Sequence, residues 1–185
     1  PLTSLYNRRY MLEALEQIVS RSDRKQSAMA VMMVDVDHFK RFNDTFGHKV
    51  GDIVLSNIAS ELKHNLRVED TACRYGGEEF CLVCPDISAA DAARIAEKLC
   101  ESIRRLDLHH EQKPLGKLTI SVGVAIFPDQ GTNTSALIQK ADELLYLAKE
   151  QGRDRVIMAN SYNGTHQLIS DDDVDDQDAT HKSVA

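Results

Sequence analysis

Cys73-Arg74-Tyr75-Gly76-Gly77-Glu78-Glu79-Phe80-Cys81-Leu82-Val83-Cys84 carries the decision on fold. A short stretch runs into Gly-Gly and leaves it as a continuous apolar run, the pattern of two antiparallel strands joined by a tight turn. Paired glycines predict positive φ angles at a primed hairpin turn. Upstream, Ala28-Met29-Ala30-Val31-Met32-Met33-Val34 has the length and apolarity of a buried strand and ends abruptly in Asp35-Val36-Asp37. Downstream, Leu118, Ile120, Val122, Val124 and Ile126 alternate with Thr119, Ser121, Gly123 and Ala125, the clearest strand in the chain. Arg155-Val156-Ile157-Met158 is read as the last strand.

Helical spacing fills the intervals. Leu12, Leu15, Ile18 and Val19 predict a helix over 7–19, with polar Ser20 to Ser27 as a connection. Leu55, Ile58, Leu62 and Leu66 mark a second helix over 52–66, with Gly47 and Gly51 in the loop before it. Ser88 and Asp91 form a capping box ahead of Ile95, Leu99, Ile103 and Leu106. Thr134 is placed to cap a helix bearing Leu137, Ile138, Ala141, Leu144, Leu145 and Ala148, which Gly152 ends. Helices interleaved with hairpins predict an α+β fold with a mostly antiparallel sheet, not a doubly wound parallel one.

The 185 residues hold 22 Lys+Arg against 29 Asp+Glu, a net charge of −7. A body of this size buries about 70% of its unfolded surface and needs no staples. No apolar run reaches the roughly 20 residues of a membrane span and no export signal stands at the start, so the expected setting is cytoplasmic, without membrane contact by this segment. An acidic balance argues against coating nucleic acid, which needs a basic face. Five of the seven negative charges fall in 171–185, where six Asp face one Lys, so the body is near neutral. From 159 onward periodicity is lost, and an acidic disordered tail is expected over 159–185. Cys81 and Cys84 have CxxC spacing inside an apolar run and, like Cys73 and Cys100, read as buried hydrophobes.

Asp35 follows seven apolar residues, and burying an unpaired carboxylate is costly, so it must reach the sheet's mouth, a cation or a metal. Glu78 and Glu79 follow the Gly-Gly turn. Strand side chains alternate between faces, so only one of the two is expected to share a site with Asp35. If two strands bring Asp35 and Glu78 together, Mg²⁺ is the natural occupant. The rival reading is that both glutamates are the solvated edge of a turn.

Arg74-Tyr75-Gly76-Gly77-Glu78-Glu79-Phe80 resembles the signature of the GGDEF family, the diguanylate cyclases, in its GGEEF form. Further matches follow in the family's order: Leu2 to Arg9, Val34-Asp35-Val36-Asp37-His38-Phe39-Lys40, Asn43-Asp44, Phe46-Gly47-His48, Gly51-Asp52, Thr119 to Ala125, and Ala141-Asp142 with Tyr146, Ala148-Lys149 and Gly152-Arg153. The resemblance covers residues 2–158 and implies a palm-like fold, related to nucleotide cyclase palms, with about five strands between helices and a catalytic domain over 1–158.

Residue by residue, the resemblance implies that Asp35, the main-chain carbonyl of Val36 and Glu78 hold Mg²⁺, with Mn²⁺ as an alternative. Asn43 and Asp52 look like the guanine-reading pair. His48 would help hold GTP, Lys40 with the main chain of His38 and Phe39 would face its phosphates beside Gly76 and Gly77, and Lys149 and Arg153, four apart on one helix face, would clamp them. Glu78 would accept a proton, Lys40 would stabilise developing charge, and Glu79, pointing away from Glu78, would have a supporting or second-metal role in catalysis. Two GTP would yield cyclic di-GMP and two pyrophosphates across a homodimer. Arg67-Val68-Glu69-Asp70 matches the family's RxxD product-inhibition site, with Arg94 or Lys98 as a further cation. An extended chain spans about 20 Å from Asp70 to Gly76 at roughly 3.3 Å per residue, so that site is separate from the catalytic turn.

The family's turn usually has an Asp before Leu2-Thr3, where Pro1 stands here, which implies an absent N-terminal sensory or dimerising region. Asn163-Gly164-Thr165 matches a glycosylation sequon that a cytosolic domain would not use. The alternatives are a catalytically silent domain that binds GTP or cyclic di-GMP as a regulator, and a palm enzyme using ATP.

Overall fold

The computed structural model describes residues 2–159. In chain order it contains β1 (Tyr6–Asn7), α1 (Arg8–Lys25), β2 (Met29–Val36), α2 (Phe39–Phe46), α3 (His48–His64), β3 (Thr71–Arg74), β4 (Glu79–Cys84) and α4 (Ala89–Arg104). A small hairpin, β5 (His109–His110) and β6 (Lys113–Pro114), precedes β7 (Ile120–Phe127), α5 (Thr134–Glu150) and β8 (Val156–Met158). The main sheet has the order β1-β3-β4-β2-β7-β8. Its three inner ladders are antiparallel and the outer pairs, β1 with β3 and β7 with β8, are parallel. The expected antiparallel α+β sheet is present, with the two-residue β1 added at one edge.

Both faces of the sheet are covered, which is why β2 is buried along its whole length. Ala30, Met32 and Val34 pack with Leu82 and Val122 beneath α3 and α4, while Met29, Val31 and Met33 pack with Cys81 and Ala125 beneath α1 and α5. Each fully buried Leu, Ile or Val contributes roughly 1.5–3 kcal/mol. α5 lies so close on β7 that a Cβ at Gly123 would run into the backbone of Ala141 and Leu145.

Several local expectations shift. α1 continues through the polar stretch to Lys25, because that stretch forms its solvated last turns and places Arg24 and Lys25 at the negative end of the helix dipole. The segment before the second helix is itself a helix, α2, separated from α3 by Gly47 at φ 83°. Asn133, not Thr134, caps α5, accepting from the Ala136 N–H at 2.9 Å. The Ser88 capping box forms, with Ser88 Oγ accepting from the Asp91 N–H at 3.1 Å.

The Gly-Gly turn is also different. Residues 75–78 make a longer loop, closed by the Tyr75 N–H donating to the Glu79 carbonyl at 2.8 Å, and neither glycine takes a left-handed φ. The Glu79 carboxylate lies where a Cβ at Gly76 would stand, so that side chain would have to move aside for any other residue. All four cysteines are free and buried. Ala159 is buried and its carbonyl accepts from Gln130 Nε2 at 3.2 Å. The remainder of the expected acidic tail and the sequon at Asn163 lie outside the described residues.

Candidate active site

Near the end of β2, Asp35 lies between Glu79 on β4 and Ser121 on β7. The Val36 N–H donates to the Glu78 carbonyl at 3.3 Å. Asp35 is only 8% exposed, and Lys149 reaches it from α5, Nζ to Oδ2 at 2.8 Å. Burial pushes the Asp35 carboxyl above its ordinary range; the Lys149 hydrogen bond and charge oppose the shift, and the Glu78 and Glu79 charges add to it.

Alternation predicted that one glutamate alone would share this site, yet the charges of both bear on Asp35. Glu79 does so through strand register, since it stands opposite Asp35 where Glu78 was expected. Glu78 does so from the loop, where the two-residue period does not hold. Among the described residues no three His, Cys, Asp or Glu side chains stand together as a metal cage. The donors present are hard oxygens in a place that favours positive charge, and they fit an ion such as Mg²⁺ that takes few protein ligands beside water and phosphate.

Asp37 leaves this group. It accepts from Thr119 Oγ1 and Ser121 Oγ, each at 2.7 Å, and from the Asp154 N–H at 3.0 Å. Arg104 holds Asp154 in turn, Nε to Oδ1 at 2.6 Å. Three donors on one buried carboxylate make it a strut between the ends of β2, β7 and α5.

The chain then turns through His38, which takes the left-handed region at φ 57°, and α2 begins without a side-chain cap. The free N–H groups of that first turn and the exposed Lys40 make an end receptive to anions. One turn on, Asn43 Oδ1 is buried without a hydrogen-bond partner among the described residues. It occupies the space a Cβ at Gly51 would need, beside the Phe39 ring. His48 and Asp52 are exposed on α3. Arg153 lies beyond the end of α5 at φ 65°, its Nη1 donating to the Lys149 carbonyl at 3.4 Å. The two cations are therefore neighbours through the helix cap and not along a shared face.

Arg67 and Asp70 close on each other. The Arg67 N–H donates to Asp70 Oδ2 at 2.8 Å, Nη2 donates to Oδ1 at 3.0 Å, and Nη2 also reaches the Pro85 carbonyl at 3.0 Å. The Asp70 side chain is fully covered. Arg67 lines a pocket of about 370 Å³ with Arg94 and Lys98 of α4, so both further cations named from sequence border it.

The family model "Diguanylate cyclase, GGDEF domain" matches residues 1–155. The chain is a GGDEF domain of the diguanylate cyclase family. This GGDEF domain is 42% identical over 158 residues to the response regulator PleD of Caulobacter vibrioides, covering 84% of the chain and 35% of PleD. It is 41% identical over 159 residues to the diguanylate cyclase DgcP of Pseudomonas aeruginosa, covering 86% of the chain and 23% of DgcP. The chain thus spans about a third or less of these relatives. Among solved structures, the GGDEF domain of DgcB from Caulobacter crescentus in complex with c-di-GMP matches with a TM-score of 0.81 at 32% identity, over 85% of this chain and 93% of that one. The active GGEEF domain of a diguanylate cyclase from Vibrio cholerae matches with a TM-score of 0.78 at 26% identity, over 84% of this chain and 97% of that one. No helix among the described residues of the GGDEF domain is long and apolar enough to cross a membrane.

Sequence reasoning did not find the Lys149–Asp35 pair or the Asp37 strut, whose partners lie 82 or more residues away along the chain. It could have found α2, since Phe39, Phe42 and Phe46 stand at helical spacing.

Proposed function

We propose that this domain condenses two GTP into cyclic di-GMP and two pyrophosphates as one half of a facing pair of domains. The observation that carries the proposal is the buried Asp35, shifted upward, with Glu78 and Glu79 beside it and the uncapped start of α2 adjoining. Asp35, Glu78 and the Val36 carbonyl would hold Mg²⁺, or Mn²⁺ in its place, which when bound lowers the pKa of a 3′-hydroxyl and screens an α-phosphate.

The chain's own residues supply the positioning. Main-chain N–H groups at His38 and Phe39, with Lys40, Lys149 and Arg153, hold the phosphates, and Gly76 and Gly77 let the nucleotide approach the loop. Glu78 takes the proton from the 3′-hydroxyl as its oxygen bonds to the α-phosphorus of the facing GTP. The bond from that phosphorus to the bridging oxygen breaks, and Lys40 neutralises charge on the departing pyrophosphate. Asn43 and Asp52 read guanine, with His48 as a further contact; the unpartnered Asn43 Oδ1 supports this, because a base lacking the matching hydrogens would leave it unpaired. Each domain holds one GTP, so ring closure needs two. Arg67 and Asp70, with Lys98, would bind cyclic di-GMP and restrain the pair; their shared pocket, and the c-di-GMP complex of the DgcB domain, support that reading.

The test is turnover of GTP with Mg²⁺ by the domain fused to a dimeric coiled coil. Cyclic di-GMP is expected, with a loss of about 10³-fold in Glu78→Ala. GTP binding by calorimetry without product from the fused dimer would replace this reading with that of a silent nucleotide-binding regulator.

A further inference from the structure

Four sulfur side chains gather on the sheet face beneath α1 and α5, one row below the carboxylates. Cys73 of β3 lies opposite Cys81 of β4, and Cys81 lies opposite Met33 of β2. From α1, the Met11 thioether stands 3.8 Å from Cys81 Sγ. All four residues are 0–1% exposed, and both thiols are free. Cys73 and Cys81 are close enough to shift each other's titration. A hydrogen bond from Cys81 pulls the Cys73 thiol below its ordinary value, with the Arg8 charge helping, and the same contact pushes Cys81 up.

We infer that Cys73, Cys81, Met11 and Met33 form a binding site for a soft monovalent cation of the Cu(I) class. Thiolate and thioether sulfur select such an ion over Mg²⁺. Structural Zn²⁺ prefers four Cys, His or acid ligands, and no group of three or more exists among the described residues. On binding, two S–H protons leave to solvent, two thiolate–metal bonds form and the Met11 and Met33 thioethers add as neutral donors, with no change of oxidation state. The complex then carries one negative charge, which the Arg8 guanidinium offsets from its position 4.5 Å over the Tyr75 ring. Arg8, Tyr75 and Met33 also line a cavity of about 910 Å³ beside α1 and α5, which gives the ion a way in. The sulfur row is two residues along the strands from Asp35 and Glu79, about 7 Å at roughly 3.3 Å per residue. The inference stands apart from the proposed cyclase reaction and is tested without it.

The experiment is an anaerobic titration of the chain with Cu(I) against the chromophoric chelator bicinchoninate, with circular dichroism recorded at each point. The folded chain is expected to withdraw one equivalent. Cys73→Ser abolishes it, and Met11→Leu and Met33→Leu, which keep the core filled, each weaken it at least roughly tenfold, the scale on which metal sites lose affinity with a supporting group. Cys84→Ser and Cys100→Ser leave it intact. If Cys73→Ser does not fold, the two methionine variants carry the comparison. The site is overturned if the chelator keeps all the metal, if uptake requires unfolding by urea, if Cys84→Ser loses it equally, or if neither methionine variant changes the affinity.

Discussion

Lys149 Nζ stands 2.8 Å from Asp35 Oδ2, so the last helix supplies the counter-charge for the acid at the end of the central strand. Burial alone would leave that acid reluctant to ionise, and the neighbouring glutamates increase the reluctance. The site is thus an unstable concentration of negative charge held in place by one ammonium group.

Lys149→Met should cost about 1–2 kcal/mol at neutral pH, less than a fully buried pair because Lys149 is partly exposed. A raised carboxyl pKa means that the native state binds the proton more tightly than the unfolded chain does, so acid favours the native state here. Without Lys149 the native Asp35 carboxyl is pushed up further, so the penalty is full above the variant's native pKa and fades as pH falls to the lower native pKa of the wild-type domain. Urea unfolding at several pH values checks this; a gap that does not narrow on acidification contradicts the assignment.

Asn43→Ala should lower kcat/KM for GTP by roughly 10²-fold, about 2.7 kcal/mol, while leaving the poor use of ATP little changed. Competition between the two nucleotides measures it. Equal losses for GTP and ATP would place Asn43 in the fold and not in base reading.

Gly51→Ala should mimic Asn43→Ala in nucleotide use and in addition destabilise by about 1–3 kcal/mol, because the new methyl group meets Asn43 Oδ1 and the Phe39 ring. Thermal melting separates the two variants. A stable Gly51→Ala protein with normal GTP affinity would show that the α2–α3 contact yields without consequence.

Arg67→Ala should relieve product inhibition while sparing initial rates, and should also cost about 1–3 kcal/mol, since the covered Asp70 carboxylate loses its guanidinium donors and keeps only the main-chain N–H of residue 67. Arg67→Lys keeps the charge but not the fork and restores neither property in full. Progress curves with added cyclic di-GMP give the answer; unchanged inhibition removes Arg67 from the product site.

The central strands β2 and β7 were legible because burial leaves an apolar run at β2 and large apolar residues alternating with small ones at β7. The carboxylate at the end of β2 was legible for the same reason, as a charge where apolar residues should have continued. Asp37 has no role legible in the sequence, and it is a strut; its donors Thr119 and Ser121 come beside it at the end of the β2–β7 ladder, and Asp154 from beyond α5. The glycines of the hairpin misled. Gly-Gly suggests a two-residue turn, but the loop is longer and neither glycine takes a left-handed φ. Cys73 and Cys81 could be seen as buried from the sequence, yet their pairing is a product of strand register that no spacing rule supplies.

Gly123 touches no part of the proposed chemistry. Where it lies, the main chain of α5 rests on the main chain of β7 with nothing compressible between them. Gly123 also faces Met33, two residues before Asp35, while Lys149 rides on the helix above. A thicker contact there would lift the helix backbone that carries Lys149 away from the strands that carry Asp35. The smallest side chain in the sheet is thus the one that lets the last helix sit near enough for its ammonium group to meet the acid.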